Sequence, residues 1–170
     1  AGRMSDPDLA ARLLLATKSE MAEEARDLAE RLNKQNVLRK EEEAGILKKA
    51  RGLIRNSPQM ASQNILVVWA NGWHRGVIGI VASKLVDEFS RPAIVLSVEG
   101  DTAHGSGRSV HGFDLLDALE GCRSYFDRFG GHKQAAGMVV RTRCLEDFRK
   151  KITSYANTHL RSEDLVRHVQ

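Results

Sequence analysis

Two short apolar runs, separated by a segment that is apolar nearly all round, constrain this fold more than any other feature. Ile65-Leu66-Val67-Val68-Trp69 contains no polar residue, as expected of a strand buried on both faces. Ala93-Ile94-Val95-Leu96-Ser97-Val98 repeats the pattern. Between them, Val77 to Phe89 carries Ile78, Ile80, Val81, Leu85 and Val86, too many apolar positions for a single stripe. That spacing predicts a buried helix, stopped by Pro92. Strand, helix and strand with short joints make a right-handed βαβ unit.

Beyond this unit the sequence predicts a polar, Gly-rich strand around Thr102–Val110 and a helix from Asp114 to about Cys122. A last strand near Ala136–Arg141 and a helix from about Leu145 to His159 follow. The expected fold class is α/β: a mixed sheet with a βαβ core flanked by helices, preceded by a long N-terminal connector helix. Residues 161–170 carry no clear signal, and neither repeats nor low-complexity segments occur.

Composition changes near Asn56-Ser57-Pro58. Before it the chain is charged and almost free of β-branched and aromatic residues. Asp6-Pro7-Asp8 reads as a helix cap with proline at the first helical position, and Ser19 as the cap of a second helix running to about Ile54. Such a helix would be roughly 50 Å long. Its middle, Arg39-Lys40-Glu41-Glu42-Glu43, has no apolar face and is expected to be a solvated strut. The expected organisation is therefore a helical connector over 1–58, an α/β domain over 59–160 and a tail over 161–170.

The 170 residues suffice for one core, and 42% hydrophobic with 28% charged residues is an ordinary globular composition. No apolar run approaches the ~18 residues of a membrane span, and no signal-peptide pattern opens the chain, so a cytoplasmic location without membrane partners is expected. The first residues, Ala1-Gly2-Arg3, lack an initiator Met, which suggests a piece of a longer chain. Cys122 and Cys144 lack metal-ligand spacing and are expected to be free thiols. A net charge of +4 and a pI of 9.3 hint at polyanionic partners.

Three glycine clusters hold the candidate chemistry. Asn71-Gly72-Trp73-His74-Arg75-Gly76 joins the first strand to its helix, where helix N–H groups can meet an anion and His74 and Arg75 can add charge. The alternative is a tight turn with an exposed Trp73. Gly72, Gly76 and Gly79 do not have the dinucleotide G-x-G-x-x-G spacing, although Glu99 ends the second strand where a ribose-binding acid would lie. In Gly105-Ser106-Gly107-Arg108-Ser109, a guanidinium flanked by hydroxyls suits a phosphate, with a flexible surface turn as the alternative. In Phe129-Gly130-Gly131-His132-Lys133, paired glycines aim His132 at an approaching group, unless that histidine is structural.

These clusters, in order and spacing, resemble the RecJ family of single-stranded-DNA-specific 5′→3′ exonucleases in the DHH phosphoesterase superfamily. The residues that carry the resemblance are Gly72-Trp73-His74, Gly76-Val77-Ile78-Gly79-Ile80-Val81-Ala82-Ser83, Arg91-Pro92, Gly105-Ser106-Gly107-Arg108-Ser109 and Phe129-Gly130-Gly131-His132. The similarity is to the C-terminal, DHH-associated domain, and it extends upstream through the charged helix to Ala1-Gly2-Arg3-Met4. It implies that residues 1–58 connect to a DHH domain of the same polypeptide holding Mn²⁺ or Mg²⁺. The Asp-His-His motif of that domain is absent from these 170 residues, so no metal ligand is assigned and the chain alone is not expected to hydrolyse DNA. Asp114 and Asp117 read as a solvated pair on a helix face.

The resemblance implies that Arg108, Ser106 and Ser109 bind a phosphate of single-stranded DNA. His132, carried by Gly130 and Gly131, would contact the same phosphate, so Arg108 and His132 would support catalysis. Trp73, His74 and Arg75 would line the cleft, with Trp73 stacking on a base. Arg75 and Lys133 fall at positions that vary in the family, and His104 is given no role. Two competing functions remain at this stage: hydrolysis of oligoribonucleotides or cyclic dinucleotides within the same superfamily, and a non-catalytic replication scaffold.

Overall fold

The computed structural model describes residues 8–16 and 22–160. The expected caps at Asp6-Pro7 and Ser19, the opening residues and the tail lie outside the described residues. In chain order the elements are α1 (Asp8–Leu15), α2 (Ala22–Arg55), α3 (Pro58–Ala61), β1 (Leu66–Asn71), α4 (Arg75–Phe89) and β2 (Ala93–Glu99). There follow β3 (Thr102–Arg108), α5 (Leu115–Glu120), β4 (Phe126–His132), β5 (Ala135–Arg141) and α6 (Leu145–His159). The strands form one sheet in the order β1-β2-β3-β5-β4. β1 and β2 pair in parallel, as a βαβ unit requires, and the remaining pairs are antiparallel. This is the mixed α/β architecture expected, with its long N-terminal helix.

The continuous apolar runs reflect two cores, one on each face of the sheet, because successive strand residues point to opposite sides. Leu66, Val68, Ala93 and Val95 pack against Val77, Val81 and Leu85 of α4 and against Ile46, Ala50 and Ile54 of α2. Ile65, Val67, Ile94 and Leu96 face the other way, onto Leu115 and Leu119 of α5 and Phe148 and Ile152 of α6. Phe148 and Ile152 are fully buried, and each such side chain contributes about 1.5–3 kcal/mol. α4 lies over β2 and β3. On that same side Gly137 of β5 and Gly130 and His132 of β4 are exposed.

The strut expectation needs correction. The second half of α2 is packed onto the sheet layer, and Glu43 in its charged run is only 6% exposed. Its carboxylate accepts from Arg39 Nη1 at 2.7 Å and is also paired with Lys84 of α4. Burial pushes the Glu43 carboxyl up, but hydrogen bonds from Lys84 and Arg39 outweigh it and hold the group below the usual carboxylate range. Glu88 of α4 accepts from Arg51 at 2.7 Å and from Arg55 at 3.1 Å, adding a second clamp.

The composition break contains α3, which the sequence reading omitted. Ser57 caps it, its Oγ accepting from Met60 N at 3.3 Å, with Pro58 in the first turn. β4, over Phe126–His132, is likewise not among the expected elements. Asp114 is not on a helix face with Asp117. It is the N-cap of α5, its Oδ1 accepting from Asp117 N at 3.1 Å, while Asp117 Oδ2 accepts from Tyr155 OH at 2.9 Å. Cys122 and Cys144 are free thiols, and burial pushes Cys122 up to about 11, leaving it unreactive at neutral pH. No helix among the described residues is long and apolar enough to cross a membrane.

Candidate nucleic-acid interface

Alternation along β3 decides which side chains can meet a ligand. Ala103, Gly105 and Gly107 face the α5–α6 core: a Cβ on Gly105 would lie 2.8 Å from Met138 Cγ, and one on Gly107 2.8 Å from Leu115 Cδ2. These glycines are small because the core is full. They do not open the backbone to a phosphate, since β3 is paired with β2 on one edge and β5 on the other. The flexible-turn alternative for this segment is likewise excluded.

His104, Ser106 and Arg108 point to the opposite side. Arg108 Nη1 donates to Ser106 Oγ at 3.0 Å and to Gly107 O at 2.8 Å. Both side chains run beneath α4 at Gly79, where a Cβ would stand 3.0 Å from Ser106 Oγ and 3.1 Å from Arg108 Nη2. Gly79 therefore acts as the clearance for the arginine. Ser109 lies past the strand and has a structural bond: its Oγ donates to Phe113 O at 2.7 Å.

β4 and β5 form a hairpin joined by Lys133 and Gln134. Gly131 has φ +151°, and a Cβ there would fall 2.3 Å from Ala135 O, so only glycine fits. Gly130, by contrast, has open space where a Cβ would be. The paired glycines thus sit within an edge strand. His132 ends that strand, exposed, with Nδ1 accepting from Gln134 N at 3.3 Å. An accepting Nδ1 places the proton of the neutral ring on Nε2, which is then a donor toward solvent.

The register gathers these residues into rows across three strands. Arg108, Ala135 and His132 form one row; Ser106, Gly137 and Gly130 the next; His104, Val139 and Arg128 a third. Two strand spacings place Arg108 and His132 about 10 Å apart. α4 walls one side of this face, and its floor between the cationic ends is nearly bare.

The Gly72–Gly76 cluster is placed differently. Gly72, at φ +72°, turns the chain so that Trp73 enters the α2–α4 core, where it is 3% exposed. Trp73 is a packing residue, not a stacking platform, and both the base-stacking and the exposed-Trp readings are corrected. His74 caps α4, its Nδ1 accepting from Gly76 N at 3.1 Å. Arg75 Nε donates to Glu99 Oε1 at 2.6 Å and a second Arg75–Glu99 contact completes the fork, holding Glu99 below the usual carboxylate range. Glu99 is thus an ion-pair partner here. Lys133 lies 3.7 Å from Asp114.

His104 and Arg128 are the residues that sequence reasoning passed over. The signal for His104 was available, since positions 104, 106 and 108 share a face of any strand. Burial, then the nearby Arg75 and Arg128 charges, push the His104 imidazole down, with Glu99 opposing them. Arg75 therefore stands at the His104 end of the face, not beside Arg108. Among the described residues no group of three His, Cys, Asp or Glu side chains is placed to hold a metal ion. The arrangement instead brings the Arg108 and Arg128 guanidinium groups and the His132 imidazole onto one face of the sheet, a set whose chemistry suits an anion.

Comparison with known proteins gives the family of the chain. Residues 62–158 match the DHHA1 domain family. The single-stranded-DNA-specific exonuclease RecJ of Bacillus subtilis is 39% identical over 97% of this chain and 21% of its own length. The Escherichia coli protein of the same name is 37% identical over 82% of this chain and 25% of its own. The chain thus spans about a fifth to a quarter of these relatives. A crystal structure of exonuclease RecJ bound to manganese superposes with a TM-score of 0.81 at 30% identity, covering 99% of this chain and 40% of that one. RecJ of Thermus thermophilus in complex with Mg²⁺ gives 0.80 at 29% identity, covering 93% and 24%. The chain belongs to the DHHA1 domain family and is RecJ-like.

Proposed function

We propose that this chain is the strand-gripping part of a RecJ-like 5′→3′ exonuclease acting on single-stranded DNA, and that the metal ions named in the relatives' structures belong to a DHH domain of the same polypeptide. The observation that supports this reading is the row in which Arg108 and His132 flank Ala135 on the α4 side of the sheet, with Arg108 half-buried and His132 exposed. Arg108, held by Ser106 and cleared by Gly79, presents a guanidinium fork to a phosphate. His132 supplies an Nε2–H donor from the other side of the same anion. Neither group performs chemistry on the phosphodiester. They bind and orient it so that a reacting centre can approach from the open side. His74 and Arg75 contribute less directly, as the cap of α4 and as the charge beside His104.

The test is fluorescence-anisotropy titration of 5′-phosphorylated oligothymidylate with the 170-residue chain at low salt. Arg108→Ala is expected to weaken binding roughly tenfold or more, the equivalent of one charge-assisted hydrogen bond. Affinity should fall with salt at a log–log slope of about −0.7 per phosphate engaged. Unchanged binding by Arg108→Ala would rule out a phosphate at this row.

A further inference from the structure

We propose that the third row, His104 and Arg128, is a second phosphate subsite that engages the strand two nucleotides beyond the phosphate held by Arg108 and His132. This deepens the strand-gripping reading and rests on it. Each step of two residues along a β-strand advances about 7 Å, comparable with the separation of successive phosphates in an extended single strand. Rows one, two and three of the open face are spaced by such steps. A strand laid along β3 and β5 that places one phosphate at Arg108 brings its next but one over His104 and Arg128.

The intermediate row suits such a path. Ser106 is its only side chain beyond hydrogen, since Gly137 and Gly130 complete it. Both glycines are exposed, and a Cβ on Gly130 would meet nothing within 4 Å while one on Gly137 would meet only Gly105 O at 4.0 Å. Unlike Gly105, Gly107 and Gly131, they have no packing demand to satisfy. They keep the floor low between two cationic rows.

The third row is itself charged in the required sense. Arg128 is exposed and close enough to His104 to act on its imidazole electrostatically, as is Arg75. Glu99 is the carboxylate that faces this group, and it is engaged by both arms of Arg75. Arg128 and His104 thus close the row from its two outer strands, near enough to interact electrostatically.

The experiment compares two probes with the full chain at low salt, a 5′-phosphorylated dithymidylate and a 5′-phosphorylated pentathymidylate. The shorter probe covers the first two rows and the longer one reaches the third. Arg128→Ala is expected to weaken the pentanucleotide about three- to fivefold, as for an exposed ion pair, to lower its salt slope by about 0.7, and to leave the dinucleotide unchanged. His104→Asn should give a smaller loss with the same length dependence. Arg108→Ala should weaken both probes. If Arg128→Ala affects neither probe, or both equally, while Arg108→Ala weakens both, the second subsite is wrong and the strand-gripping reading stands. If neither probe binds, or Arg108→Ala is also silent, both fail. Arg128 is exposed, so the variant is expected to fold, and an unchanged urea midpoint checks this.

Discussion

The two sides of β3 and its hairpin neighbours differ in what they ask of glycine. On the side facing α5 and α6, Gly107 and Gly131 flank the buried Ala136 in a row, and neither glycine has room for a Cβ. On the side facing α4, Ser106 lies beneath Gly79, while Gly137 and Gly130, which continue its row, have open space above them. One set of glycines is demanded by packing and strain. The other is not demanded by packing, and the proposed function gives it to the path of a ligand. A glycine-rich motif therefore mixes two causes, and only the register separates them.

The largest effects should come from filling the sealed side. Gly131→Ala puts a Cβ against backbone at a φ unfavourable to L-residues and is expected to cost about 3 kcal/mol. Gly107→Val, pressing on Leu115 and Ile94, should cost about 1–3 kcal/mol by overpacking. Urea denaturation reads both. On the open side, Gly137→Ala should stay within about 0.5 kcal/mol of wild type in the same assay. A loss comparable to that of Gly107→Val would show that the open face is packed after all.

The smallest expected effect is a pH dependence. The His104 imidazole is held below its ordinary value of 6.5 by burial and by Arg75 and Arg128, against Glu99. The unfolded chain therefore binds this proton more readily than the folded one. Stability associated with His104 is fully present above pH 6.5 and is lost as pH falls through that value toward the lowered folded one. Comparing urea midpoints of the wild type and His104→Asn across pH 5 to 7.5 should show a slightly steeper acid decline in the wild type. Identical slopes would remove His104 from the cationic end of the face.

Much of the framework was legible because its signals are local. The two apolar strands, the buried helix between them and α6 from Leu145 to His159 follow from periodicity. β4 escaped because of a bulge. The register shifts between Phe126 and Arg128, so Phe126 and Phe129 reach the same core although their spacing of three predicts opposite faces. Trp73 was misplaced because its burial depends on α2, whose charged middle gave no hint that Ile46, Ala50 and Ile54 pack beside it. The pairing of Arg108 with His132 could be expected only through family resemblance. Their common row depends on β5 lying between β3 and β4, a topological fact that no local pattern encodes.

A double-mutant cycle on phosphate-bearing single strands tests the shared-anion geometry most directly. Arg108 and His132 are about 10 Å apart, far enough that two independent residues would show additive losses. If both grip one phosphate, the Arg108→Ala/His132→Ala double variant should lose less affinity than the sum of the single losses, by about 0.5 kcal/mol or more. Strict additivity would mean that the two side chains serve different ligand groups, and the convergence on which the proposed function rests would be contradicted.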